Sequence, residues 1–75
     1  MKIVEVTWID ARHDFGQISI REINPGALMK TVGYLIRRDK EFVVIAMEYW
    51  PERETYNNVT SIPASIVKKV RYVER

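Results

Sequence analysis

Asp10, His13 and Asp14 lie within five residues and carry the carboxylate and imidazole donors that metal ions take. His13 is the only histidine, and no second carboxylate–histidine group exists to complete a closed coordination shell. These three are read as solvated loop residues that cap turns. Ser61 and Ser65 flank Pro63, but a nucleophile needs a base within reach and an orienting group, and the one imidazole is far off in the chain. Glu48, Glu52 and Glu54 offer carboxylates for acid–base work across a hairpin. Charges on a hairpin loop ordinarily serve solubility. No catalytic set, no metal site and no cofactor is expected, and the chain does not read as an enzyme.

The remaining chemistry is that of binding. Tyr49, Trp50 and Tyr56 bracket the acidic segment, and Trp8 ends an alternating stretch. Aromatic rings at strand ends stack bases or accept proline-rich peptides. The plainer reading puts Trp8 and Tyr34 in the interior and Trp50 over one open end. Arg37, Arg38, Lys68, Lys69 and Arg71, with Lys40 beside them, are the candidate contacts for nucleic acid or a small anion, provided the second and last strands lie close. Asp39 and Glu41 interleave with the first of these groups, as on an ordinary solvated strand face.

The elements that must position these residues are strands. Lys2 to Ile9 alternates in period two, with Val4, Val6 and Trp8 on one face and Glu5 and Thr7 on the other. Asp10 to Gly16 is a polar loop. Gln17 to Ala27 is expected to hold one helical turn inside a long loop, because Ser19 and Glu22 fit a capping box and Asn24-Pro25-Gly26 stops a helix; a short strand through Ile18 and Ile20 is the alternative. Thr31 to Arg38 reads as a strand with Val32, Tyr34 and Ile36 facing the core, and Gly33 marks a bend or a close backbone approach. Asp39-Lys40 is a tight turn, and Glu41 to Trp50 is the partner strand. A polar loop over 51–58, a short strand Val59–Ile62, a helical turn at Pro63-Ala64-Ser65 and a closing strand from Ile66 to Val73 complete the chain.

The composition bounds what these strands can build. Seventy-five residues, 47% of them hydrophobic, make one domain over 1–75 and leave no room for a dinucleotide fold or a solenoid. No apolar run reaches the ~20 residues of a membrane helix. Glu5 stands where a secretory leader would have to be apolar, so a cytoplasmic protein without membrane partners is expected. The absence of cysteine removes disulfides and thiol chemistry. Twelve basic against ten acidic residues give a net charge of +2, too small an excess for a strong nucleic-acid footprint.

One stretch stands out. Phe42 to Met47 is continuously apolar and Tyr49-Trp50 follows, so both faces of this strand ask for cover. On period-two counting Tyr49 shares a face with Val43, Ile45 and Met47, while Trp50 shares the other with Phe42, Val44 and Ala46. Both faces cannot line one small interior. Phe42, Val44, Ala46, Tyr49 and Trp50 are therefore the candidate interface, and a homo-oligomer is expected.

Five short strands, a long first loop, a tight central hairpin and one helical turn before the last strand predict an all-β fold, a small five-stranded SH3-like or Sm-like barrel. An OB-fold would require a helix between its third and fourth strands, where 51–58 is too short. Three blocks carry a further likeness: Val6-Thr7-Trp8-Ile9-Asp10-Ala11, Thr31-Val32-Gly33-Tyr34-Leu35-Ile36 and Ile62-Pro63-Ala64-Ser65-Ile66-Val67. With them the chain resembles small uncharacterised bacteriophage and prophage proteins. That resemblance implies a Sm-like or SH3-like barrel and no catalytic residues. Together these readings predict a non-catalytic binding and assembly module, with a Sm-like RNA-binding protein as the alternative.

Overall fold

The computed structural model describes residues 1–10 and 26–73. Five strands form one antiparallel sheet: β1 (Ile3–Asp10), β2 (Ala27–Arg38), β3 (Phe42–Trp50), β4 (Thr55–Pro63) and β5 (Val67–Tyr72). A 3-10 turn, Ala64–Ile66, precedes β5. The order across the sheet is β4-β3-β2-β1-β5, so β4 and β5 stand at its two edges and the sheet does not close into the expected barrel. The helical turn expected within 17–27, together with His13 and Asp14, lies largely outside the described residues; Ala27 itself is strand.

Two strands begin earlier than their sequence pattern suggests. Ala27 to Lys30 extend β2 by pairing with Asp10 to Thr7, and Thr55 to Asn57 extend β4 by pairing with Trp50 to Glu48. The expected loop over 51–58 shrinks to a four-residue turn. In it the Arg53 amide donates to the Trp50 carbonyl at 3.2 Å and Pro51 holds the first corner. Polar residues such as Asn57 and Thr55 hide a strand from pattern reading, because their partners satisfy the backbone whatever the side chain.

The core is small. Val4, Val6, Val43, Ile45 and Ile62 are buried together, and Trp8, Leu35, Ile66, Val67 and Val70 pack against them from partly open positions. Side chains from β1, β3, β4, β5 and the 3-10 turn meet in one cluster although the sheet order separates them, so the sheet is strongly curled. Trp8 lies against this core with its indole N–H donating to the Thr31 hydroxyl at 3.0 Å, which satisfies the one polar atom of the ring.

The face expected to be buried on β2 is the wrong one. Val32 is 51% exposed and Ile36 37% exposed, whereas Gly33 is buried and Leu35 joins the core. Gly33 sits directly opposite Val4, and Leu35 opposite Ile45, so register puts the odd-numbered residues inside. Gly33 also makes the close approach its sequence suggested. A side-chain carbon there would stand 2.7 Å from the Ala46 carbonyl oxygen. Beyond Leu35, whose amide still donates to the Lys2 carbonyl at 2.8 Å, β2 leaves β1, while Tyr34 to Arg38 pair with β3.

Candidate functional site

Two irregularities in the sheet decide where the cations go. Between β2 and β3 the register steps from Leu35↔Ile45 to Arg37↔Val44, so Ile36 is one extra residue on β2. Between β1 and β5 it steps from Thr7↔Lys69 to Trp8↔Val67, so Lys68 is extra on β5. Such bulges bend a strand and re-aim its side chains. After the first bulge Arg38 comes opposite the buried Val43 and shares its face, which strict alternation from Leu35 would deny it.

Arg38, Lys68 and Lys69 consequently line one cavity of about 240 Å³ with Asp39 at its rim. Val43, Ala64, Val67 and Val70 complete its lining. Among the described residues these three cations make no ion pair and donate no side-chain hydrogen bond. Asp39 is already engaged. One of its oxygens accepts from the amides of Phe42 at 2.9 Å and Glu41 at 2.8 Å, and the other pairs with Arg37. Those contacts hold its pKa down from 3.8 to about 2, the Phe42 amide contributing most, then the Glu41 amide and Arg37.

The expected basic group is thus divided. Arg38, Lys68 and Lys69 gather, Arg37 turns to Asp39, and Arg71 reaches Glu5 across the sheet at 3.4 Å. Alternation could not foresee this division, because a bulge leaves no mark in the hydrophobic pattern.

The expected interface row also divides. Phe42 is 36% and Trp50 47% exposed, Val44 is half-buried, and Ala46 is wholly enclosed within its own chain. Ala46 sits between Tyr34 and Val59 in register and beneath the β2 bend, so it belongs with the interior. Tyr49 is half-buried in a line of rings. It meets Tyr34 edge-on at 6.4 Å and stacks on Tyr56 at 5.0 Å, a packing that occupies its faces. The Arg53 guanidinium lies 4.7 Å from the centre of the Trp50 ring.

At the far end of β3 the hairpin tip is acidic. Glu52 and Glu54 are exposed and form no ion pair among the described residues, while Glu48 accepts a hydrogen bond from the Asn58 amide group at 3.0 Å. No group of three or more His, Asp or Glu side chains among the described residues is arranged to hold a metal ion. No helix among them is long and apolar enough to cross a membrane. Compared with protein-family models, curated proteins and solved structures, the chain matches none.

Proposed function

We propose that this chain is a non-catalytic binding and assembly module: a small SH3-like or Sm-like barrel of phage or prophage type, acting in the cytoplasm as a homo-oligomer. The sheet order, the curl that brings β5 and β3 to one core, and the 3-10 turn after Ile62-Pro63 support that architecture. The observation that carries the assembly reading is the balance of apolar side chains. Among the described residues six hydrophobic side chains are buried, while eleven large ones, including Leu28, Phe42, Met47, Trp50 and Val59, remain exposed. A core this small contributes little against the entropy of ordering the chain, and a second subunit would cover what the first leaves open. Light scattering at micromolar concentration tests this. The expected result is a multiple of the 8.9 kDa chain mass; a clean single-chain mass overturns it.

A Sm-like RNA-binding role is the second reading, favoured by the three cations of the β2–β5 cavity, which form no ion pair among the described residues. A basic site that tracks a phosphate backbone releases counterions, so its affinity falls steeply with salt. Binding of a single-stranded oligoribonucleotide, followed by fluorescence anisotropy, should weaken roughly ten-fold or more between 50 and 200 mM salt. Absent or salt-insensitive binding removes this reading. A small free anion at the same cations is covered by the same reasoning and would raise the melting temperature.

A further inference from the structure

The geometry points to a head-to-tail contact in which the acidic β3–β4 tip of one copy docks into the Arg38/Lys68 cavity of the next. This rests on the homo-oligomer reading and names the two surfaces that meet.

Three observations carry it. The first is charge. The cavity gathers Arg38, Lys68 and Lys69, and the carboxylate at its rim is already saturated by two backbone amides and Arg37. The tip offers the complement. Glu52 and Glu54 are exposed without partners among the described residues, and the intervening Arg53 is drawn back over the Trp50 ring. Opposed patches of this kind steer association and fix register.

The second is size. At about 240 Å³ the cavity is smaller than the ~300 to 1,000 Å³ of pockets that enclose cofactors or drug-sized ligands. It suits one or two carboxylate side chains presented by a turn. Val43, Val67 and Val70 in its lining give the methylene stems of those side chains apolar contacts, and the exposed Trp50 flanks the entering tip.

The third is distance. Val43 lines the cavity and Trp50 begins the tip, and seven steps of extended strand separate them by about 23 Å at the usual rise per residue. The tip cannot fold back into the cavity of its own chain. Direct contact between the two patches takes a second molecule. Because the two patches differ, the contact either closes reciprocally in a two-fold dimer, each tip in the other copy's cavity, or repeats into a ring or a filament.

Charge reversal tests the contact on the full chain. Glu52→Lys/Glu54→Lys reverses the tip, and Arg38→Glu/Lys68→Glu reverses the cavity; all four positions are exposed, and circular dichroism checks that each variant folds. In sedimentation velocity at 50 mM salt, each variant alone should self-associate roughly ten-fold or more weakly than the parent chain. An equimolar mixture should regain assembly, because each variant then supplies the surface complementary to the other's. If a variant does not fold, Glu52→Gln/Glu54→Gln gives the same test through loss of association alone. Assembly of both variants as strong as that of the parent overturns this contact and leaves the homo-oligomer reading standing. A parent chain that stays at 8.9 kDa overturns both. Cavity reversal that abolishes oligoribonucleotide or inorganic phosphate binding while assembly persists assigns the cations to an outside anion, and also overturns the contact.

Discussion

Asp39 shows how one exposed carboxylate can organise a turn. It accepts two backbone amides and pairs with Arg37, which lowers its pKa to about 2 from 3.8. A carboxyl with a depressed folded pKa stabilises the fold fully above its unfolded value, and that contribution disappears as pH falls through the folded one. Hydrogen exchange at the Glu41 and Phe42 amides should therefore accelerate between pH 3.8 and about 2 beyond the trend of other strand amides. Asp39→Asn should lack that step, and an unchanged profile in the variant would refute the assignment. Gly33 is the second position where a single atom decides. A side-chain carbon there would press to 2.7 Å on the Ala46 carbonyl, backbone that cannot rotate away. Gly33→Ala should cost about 1–3 kcal/mol in urea unfolding, the usual range for overpacking. A neutral result would mean that β2 shifts freely at its bend.

The elements share one thin core, and each strand adds only one to three side chains to it. Ile45 is 2% exposed and stands opposite Leu35 on one side and Thr60 on the other. Ile45→Ala should cost about 2–5 kcal/mol, a large share of the ~5–15 kcal/mol available to a whole domain. Chemical denaturation measures it, and a loss below 1 kcal/mol would show that neighbouring side chains collapse into the space. Strand existence was legible at this scale. Val4, Val6 and Trp8 do share a face, and the break after Ile62-Pro63 is a short 3-10 turn. The inward face of β2 was not legible, because Val32, Tyr34 and Ile36 look more apolar than the set containing Gly33. Only pairing across to Val4 and Ile45 shows that a glycine and Leu35 point inward.

For the whole molecule, shape and apolar exposure point the same way. The radius of gyration is 15.5 Å, against about 11 Å for a compact domain of this length. A hairpin that projects beyond the core leaves both its edges and its side chains to solvent or to a partner. If assembly contributes to folding, the melting temperature must rise with protein concentration, since mass action stabilises whatever binds only the folded chain. A ten-fold increase in concentration should raise it measurably. A concentration-independent melt would separate folding from assembly.

The residue sequence by itself determined that the chain is all-β, roughly where its five strands run, that a glycine marks the β2 bend, and that the 42–50 strand carries more apolar surface than one small core can hide. These follow from local periodicity and turn chemistry, which act over a few neighbouring residues. Which cations gather was decided only by the tertiary structure. Two bulges, at Ile36 and Lys68, reset the alternation and bring Arg38 beside Lys68 and Lys69, while Arg37 and Arg71 turn to Asp39 and Glu5. A bulge arises where two strands must follow different curvatures around the same core, and that mismatch exists only once the strands are paired.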